Sequence, residues 1–250
     1  MIIYGGTHCG KVRKSNEDYL YFPFNDYDVQ NLMIVADGVG GHNAGDIASF
    51  IAVNTVVDVI KGFYNKHDNG VSPVDILTTA LIEANHRIFT ISQEDEKYYG
   101  MGTTMTAAFF YNENVIIAHV GDSRAYLIRD QKIQQITNDH SLVEELIKNG
   151  TITEDEAFHH PQKHIITRAL GTEKSVQIDT FTVSLHLEDI ILLCTDGLLN
   201  HIGSDEILGL FANYNYFDKI VQDLVQRALD KGGNDNITVV IGTNSTMGKR

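Results

Sequence analysis

The fold of this chain is organised around residues 32–42, which read LMIVADGVGGH. The five apolar residues at 32–36 are too few for a free-standing helix, so they predict a buried strand that ends at Asp37. Three glycines follow within four positions and let the backbone turn tightly and approach a neighbour closely. Apolar residues then recur at three- and four-residue spacing and predict a helix over 43–60. A carboxylate is therefore expected at the mouth between a strand and a helix.

The pairing of an apolar run with an acid occurs three more times. A lone Asp-Gly most often marks only a turn, so only its repetition after apolar runs indicates a functional site. Residues 189–195 form an apolar run that leads to Asp196, another run leads to Asp122, and Asp235 comes just before the last run. Together with Asp37, four carboxylates are predicted at the tips of four core strands.

Length and composition restrict the class of protein. The 250 residues carry a formal net charge of −14 and no cluster of basic residues, which argues against a nucleic-acid partner. No linker or low-complexity tract divides the chain, so a single domain over 1–250 is expected. No apolar run approaches the roughly 18 residues of a membrane span, and no secretion signal is evident. The two cysteines, Cys9 and Cys194, predict no disulfide and a reducing, cytoplasmic location.

Hairpins and helix pairs define the predicted architecture. Strand-turn-strand patterns over 105–120 and 124–136 predict an antiparallel sheet. Ser72, followed by a proline, caps a second helix, and two more helices precede the last strand. A strand over 176–185 changes apolar phase near Asp179, which predicts a bulge. The expected fold class is α+β: a four-layer αββα arrangement with a central antiparallel β-sandwich flanked by helix pairs.

Residues 138–171 interrupt the strand pattern. Two short helical patterns and a histidine-bearing loop predict a small helical flap beside the acidic cluster. A zinc site built from His159, His160 and His164 is an alternative interpretation of the loop, but no cysteine or fourth ligand is evident for it.

Several carboxylates at one place repel each other. At about 4 Å each pair costs roughly 1 to 4 kcal/mol, depending on the effective dielectric constant, so protons or cations must neutralise the site. Ligands that are all oxygens favour Mg²⁺ or Mn²⁺ over zinc. Two such ions that share a bridging carboxylate activate a water as a nucleophile near neutral pH. The pattern therefore indicates hydrolysis of a phosphate ester.

Two basic side chains are candidates for handling an anionic substrate. Arg13 could hold a phosphoryl group in a two-point contact, while a surface arginine paired with Glu17 fits the spacing equally well. His42 is a candidate general acid for the leaving alkoxide. An isolated histidine in a glycine loop is, however, more often inert.

Eight ordered motifs span nearly the whole chain: RKSNED (13–18), VADGVGGH (35–42), GMGTT (100–104), GDSRAY (121–126), NDHSL (138–142), ITRALG (166–171), TDGL (195–198) and GNDNITV (233–239). Each is weak alone, but the set is specific. It resembles a bacterial member of the metal-dependent serine/threonine protein phosphatases, the PPM or 2C type. The resemblance implies a β-sandwich flanked by helix pairs, with a binuclear Mn²⁺/Mg²⁺ centre.

The resemblance also implies a set of metal ligands. Asp37 would bridge both metals, and the Gly38 carbonyl would bind the second. Asp196 and Asp235 would bind the first. Asp122 resembles the acid that, with Asp196, holds a third and weaker metal.

Other motif positions receive substrate or supporting roles by the same resemblance. Glu17 and Asp18 would act mainly through metal-bound waters. Arg13 resembles the phosphate-binding arginine, and His42 resembles the proton donor to the leaving serine or threonine oxygen. Two further residues match supporting positions around the metals, namely Thr104 and Asn236.

The activity that this resemblance implies is a phosphoprotein phosphatase. It would hydrolyse phosphoserine or phosphothreonine by direct attack of a metal-bridging hydroxide, with no covalent enzyme intermediate, and would counteract a cognate serine/threonine kinase. Three alternatives remain open: a catalytically inactive scaffold that binds phosphoproteins, a phosphatase tuned to stress-response regulators, and a small phosphoester hydrolase. His164 departs from the asparagine expected in its loop, which bears on the flap and on the third metal.

Overall fold

Two antiparallel β-sheets run through the centre of the protein. The computed structural model describes residues 1–40, 44–64, 70–213 and 216–243. The strands in this part of the chain are β1 (Ile2–His8), β2 (Asp18–Tyr21), β3 (Leu32–Val39), β4 (Gly102–Thr103), β5 (Met105–Tyr111), β6 (Asn114–Val120), β7 (Arg124–Arg129), β8 (Lys132–Gln135), β9 (Asp179–Ser184), β10 (Ile190–Cys194) and β11 (Ile237–Thr243). One sheet has the order β1-β11-β10-β7-β8, and the other has the order β2-β3-β5-β6-β9 with β4 beside β3.

Helices cover the outer faces of both sheets. The α-helices of the described ranges are α1 (Gly45–Tyr64), α2 (Pro73–Glu94), α3 (Leu142–Lys148), α4 (Glu154–Phe158), α5 (Asp196–Leu199), α6 (Ser204–Asn213) and α7 (Phe217–Asp230). Of these, α1 and α2 cover one sheet and α6 and α7 the other, while α3 and α4 belong to the 138–171 segment. As predicted, the Ser72 side chain caps α2 by accepting a hydrogen bond from the backbone N–H of Val74. None of the helices in the described ranges combines the length and the hydropathy that a membrane span requires.

Three apolar cores separate the four layers. Strand β3 shows how one sequence serves two of them, because successive side chains of a strand point to opposite faces. Leu32, Ile34 and Ala36 pack in the core that includes α1 and α2, whereas Met33 and Val35 pack between the two sheets. A third core joins β10 and β11 to α6 and α7. The layers therefore follow the order α–β–β–α, which confirms the predicted fold class.

Both predicted hairpins are present. Strands β5 and β6 pair from Met105↔Val120 to Tyr111↔Asn114, and β7 pairs with β8. The turn between β7 and β8 has two central residues with positive φ, Asp130 at 50° and Gln131 at 58°. Such mirror-image turns match the right-handed twist of the flanking strands.

Some element boundaries differ from the sequence prediction. The N-terminal residues 2–11 read as one strand in the sequence, but β1 ends at His8, and Gly10 then turns the chain with a φ of 82°. Strand β3 continues past Asp37 to Val39, because β2 and β4 pair with its last residues. Helix α1 extends to Tyr64, beyond the predicted end at residue 60.

The bulge predicted near Asp179 is wrong. Strand β9 pairs with β6 without a slip from His119↔Asp179 to Asn114↔Ser184. Its side chains alternate regularly between partly buried and exposed. The change of apolar phase falls at the first residue of the strand, so it marks the entry into β9 and not an irregularity inside it.

Candidate active site

An acidic cleft opens at one end of the β-sandwich. Its volume is about 590 Å³. Its walls come from both sheets and from the 138–171 segment, and its lining includes Arg13, Glu17, Asp37, Gly38, Asp122, Lys163, His164, Asp196, Asn200, Asn234, Asp235 and Asn236. Most of the residues selected from the sequence therefore lie around one cavity.

Asp37 and Asp18 face each other on neighbouring strands. They are directly paired across β3 and β2, which places their side chains on the same face of the sheet. Thr104 fixes the backbone of Asp37 from the other side. Its hydroxyl accepts a hydrogen bond from the Asp37 N–H at 3.0 Å, and its own N–H donates to the Asp37 carbonyl at 2.8 Å. The Asp37 backbone is thus fixed between β2 and Thr104, and its carboxylate lines the cleft.

Asp18 is buried with an unsatisfied oxygen. Its residue exposure is only 4%. One carboxylate oxygen, Oδ2, accepts a hydrogen bond from the Thr195 hydroxyl at 2.9 Å. The other, Oδ1, has no hydrogen-bond partner among the described residues. Burial raises the pKa of Asp18 to about 7, and the nearby charges of Asp196 and Asp235 act in the same direction.

The remaining acids converge on Asp37 from other strands. Asp196 follows β10 as the first residue of α5 and lines the same cleft as Asp37. Asp122 follows β6, and Asp235 precedes β11. Burial raises the pKa of Asp37 well above its usual range, and repulsion from the other acids, Asp18 first, adds to it. Burial likewise raises the pKa of Asp196 and takes that of Asp122 to about 7.

The donor set fits a hard divalent cation. All the buried acids offer only oxygens, and the orphaned Oδ1 of Asp18 is a polar atom that a cation or its water shell would satisfy. Burial and mutual repulsion raise the pKa values of these carboxyls, and a bound cation would relieve both effects. In the described part of the chain, no three His, Cys, Asp or Glu side chains close around a single point. The acids line the cleft without forming a finished cage, and the zinc site considered for His159, His160 and His164 is not formed either.

Arg13 pairs with Asp235 and not with Glu17. Its guanidinium Nη2 donates to Asp235 Oδ2 at 2.9 Å, with 54% of the arginine side chain exposed. This hydrogen bond, opposed by desolvation, raises the pKa of Arg13. Glu17 lines the cleft nearby, and burial raises the pKa of its carboxyl while Arg13 lowers it. An exposed guanidinium therefore stands at the rim of the acidic cluster.

Asn236 ties the loop that carries Arg13 to the acidic strand end. Its Oδ1 accepts a hydrogen bond from the Glu17 N–H at 2.8 Å, and its Nδ2 donates to the carbonyls of Cys9 and Ser15 at 2.9 Å each. Asn236 is only 5% exposed. The sequence marked it as a supporting residue, and these contacts give that role a physical basis.

Two glycines let the segments around the acids touch. A Cβ on Gly38 would lie 2.2 Å from the Gly45 carbonyl oxygen and 2.7 Å from the Glu17 carbonyl oxygen. A Cβ on Gly45 would in turn lie 2.8 Å from Oε2 of Glu17. Gly38 was selected from the sequence. Gly45 was missed because its contact with Glu17 joins two segments that are distant in the chain.

The 138–171 segment places two basic side chains over the acids. Lys163 and His164 both line the cleft. Both ends of the segment are held by arginines. Arg124 donates three hydrogen bonds of 2.7 to 3.0 Å to the Asp139 carboxylate. Arg168 donates one to Asp179 at 2.8 Å. Sequence reasoning missed Lys163, since a lysine in an irregular loop carries no signal of its position.

His42, the predicted proton donor, lies outside the described residues, as does Gly41 of the same glycine loop.

The comparisons with known proteins agree with this geometry. The Protein phosphatase 2C family profile matches residues 5–240. The chain belongs to the protein phosphatase 2C family. It is 38% identical over 247 residues to the serine/threonine phosphatase stp of Listeria welshimeri, covering 97% of this chain and 96% of that protein. The family identified from the eight motifs is therefore confirmed.

Solved structures extend the family likeness to three dimensions. The serine/threonine phosphatase PstP/Ppp of Mycobacterium tuberculosis superposes with a TM-score of 0.86 at 32% identity, covering 96% of this chain and 97% of that one. The catalytic domain of serine threonine protein phosphatase PstP, in complex with two manganese ions, superposes with a TM-score of 0.83 at 32% identity and 96% coverage of both chains. This 2C phosphatase thus shares its fold, over 96% of the chain, with a structure that holds two manganese ions.

Proposed function

We propose that this phosphatase hydrolyses phosphoserine and phosphothreonine in proteins and counteracts a serine/threonine kinase in the cytoplasm. The observation that carries the proposal is the cleft itself, where acids from separate strands meet beside an exposed guanidinium. The names of its relatives as serine/threonine phosphatases support the substrate class. Two free cysteines, Cys9 and Cys194, support a reducing compartment.

Divalent metal ligands are proposed at the centre of the cleft. Two ions, Mn²⁺ or Mg²⁺, would be held by Asp37, the Gly38 carbonyl, Asp196 and Asp235. A third ion would be held by Asp122 together with Asp196. Asp18 and Glu17 would bind the water shell, for which the orphaned Oδ1 of Asp18 is suited. Ions held by these residues would lower the pKa of water and so supply a hydroxide nucleophile at neutral pH. A manganese pair in a structural relative supports this assignment.

The protein's own side chains bind the phosphate and handle the proton. Arg13 stands half-exposed at the rim, so exchanging its contact with Asp235 for one with a phosphoryl group needs no burial of charge. Its planar guanidinium can hold two phosphoryl oxygens at once. We assign to His42 the transfer of a proton to the leaving alkoxide, on the sequence pattern alone.

Direct hydrolysis is proposed in preference to a covalent route. Burial raises the pKa of the Cys194 thiol to about 12 and keeps it protonated and unreactive. Acids whose charges repel each other, in contrast, are suited to hold cations and not to attack a phosphate anion. We further propose that residues 1–250 act as one domain, with 138–171 as a flap over the cleft.

Side-by-side turnover of phosphopeptides tests the proposal. Phosphoserine, phosphothreonine and phosphotyrosine peptides of one sequence are incubated with chelator-treated protein, with and without Mn²⁺, and released phosphate is measured. We expect release from the first two only, and only with Mn²⁺. Asp37→Asn and Asp196→Asn should nearly abolish it. Activity that survives both substitutions and chelation would refute the metal-dependent mechanism, and a protein inactive on every phosphoester would support the scaffold alternative.

A further inference from the structure

A second, shallower cavity lies beside the acidic cleft. It encloses about 290 Å³ and is lined by Asn16, Asp18, Tyr19, Asp46, Ile47 and Phe50. Asn16 and Asp18 flank Glu17, which lines the main cleft. The two cavities are therefore neighbours along the same short piece of chain. A Cβ on Gly45, the residue before Asp46, would lie 2.8 Å from Oε2 of Glu17, so the second cavity is close to the main cleft.

Two exposed aromatic rings form one wall of this cavity. Tyr19 is 37% exposed and Phe50 is 50% exposed. Their ring centroids lie 5.3 Å apart with an interplanar angle of 85°, an edge-to-face contact. Tyr19 lies on β2 and Phe50 on α1, so regular elements hold both rings in place. Exposed ring faces bind apolar groups and, through their quadrupole, cations.

The charge around the rings decides between these two kinds of occupant. Asp46, in the first turn of α1, is exposed at the cavity. No Lys, Arg or His among the residues that the structure describes lies within ion-pair distance of it. The whole chain carries a net charge of −14. The Asp46 carboxylate accepts a hydrogen bond from the Ile47 N–H at 2.9 Å and forms no ion pair with the described residues. An aromatic wall with such a carboxylate beside it favours a cationic side chain over a purely apolar one.

We propose that the cavity formed by Tyr19, Asp46 and Phe50 is a specificity subsite for a lysine or arginine side chain that flanks the phosphorylated residue of the substrate. The cationic head would lie against the Phe50 ring and pair with the Asp46 carboxylate, while its aliphatic stem packs on Ile47. This inference rests on the proposed phosphoprotein phosphatase activity and adds a sequence preference to it.

A series of phosphopeptides that differ in the position of one arginine tests the subsite. One arginine is moved through each position on either side of a phosphothreonine in an alanine background, and kcat/KM is compared with glutamate or leucine at the same position. We expect arginine at one position to raise kcat/KM by roughly five- to tenfold over alanine, the combined effect of one exposed cation–π contact and one exposed ion pair. Glutamate should lower it.

Three variants assign the preference to this cavity. Phe50→Ala and Asp46→Asn should each reduce the arginine preference to about two- to threefold over alanine, because each removes one of two contacts of similar strength. Asp46→Lys should reverse the preference between arginine and glutamate peptides, a gain that partial unfolding cannot imitate. The matched control is Tyr27→Ala, which removes a 93% exposed aromatic ring outside the cavity and should keep the preference.

The outcomes separate this inference from the proposed function. Equal turnover of all the phosphothreonine peptides, a preference for leucine over arginine, or a preference that persists in Asp46→Lys would refute the subsite and leave the phosphatase activity standing. A wild-type protein that hydrolyses neither these peptides nor an aryl phosphate would refute both.

Discussion

Replacement of Asn236 by alanine tests whether this side chain organises the rim of the active site. The change removes three hydrogen bonds of 2.8 to 2.9 Å, one from the Glu17 N–H and two to the Cys9 and Ser15 carbonyls. Each buried hydrogen bond contributes about 1 kcal/mol, and a stranded buried donor costs more. The free energy of unfolding should therefore fall by about 3 kcal/mol, equivalent to a loss of roughly 6 to 12 °C in Tm for a chain of this size.

The same substitution should weaken substrate binding. Because Asn236 ties down the loop that carries Arg13, its loss should raise KM for a phosphopeptide severalfold. Urea denaturation of chelator-treated protein measures the first effect, and steady-state kinetics with Mn²⁺ measure the second. The control is Asn234→Ala, whose side chain is exposed and makes no hydrogen bond with the described residues, and which should change stability by less than about 0.5 kcal/mol. Equal stability losses in the two variants, or a loss below about 1 kcal/mol for Asn236→Ala, would refute the role assigned to Asn236.

Three further predictions concern neighbouring parts of the site. Arg13→Ala should chiefly raise KM, and an unchanged KM would remove Arg13 from phosphate binding. Gly38→Ala should lower the free energy of unfolding by about 3 kcal/mol or more, because the added Cβ would lie 2.2 Å from a backbone oxygen. The control is Gly62→Ala in α1, whose added Cβ meets nothing within 4 Å and should stabilise the protein slightly. The pKa of Asp18 is raised to about 7. In chelator-treated protein, the protonated Asp18 carboxyl therefore stabilises the fold fully below about pH 4, and this stabilisation, up to roughly 4 kcal/mol, is lost as the pH rises through 7. Asp18→Asn should flatten that decline in urea denaturation at a series of pH values, and an unchanged decline would contradict the assignment.

Local patterns were sufficient to find the acids. An apolar run beside an acid is readable from a few consecutive residues, so the sequence alone places four acids in or next to core strands, namely Asp37, Asp122, Asp196 and Asp235. The α–β–β–α layering was predictable for the same reason, because hairpin spacing and helix periodicity are local signals.

Long-range pairing was not readable from the sequence. The partner of Arg13 is Asp235, 222 residues away, whereas sequence spacing suggested Glu17. The extension of β3 to Val39 depends on pairing with β4, which lies far along the chain. The close approach of Gly38 and Gly45 to Glu17 joins segments that are more than 20 residues apart in the chain. Each of these features is decided by tertiary contacts and not by propensity.

The central claim is that acids from separate strands form one divalent-cation centre that performs the hydrolysis. Calorimetric titration of Mn²⁺ into chelator-treated protein, with turnover of a phosphothreonine peptide followed in the same samples, tests it most directly. We predict at least two ions per chain, turnover that rises with their occupancy, and the loss of both in Asp37→Asn. Full turnover without bound Mn²⁺, or unchanged Mn²⁺ binding in Asp37→Asn, would contradict the claim.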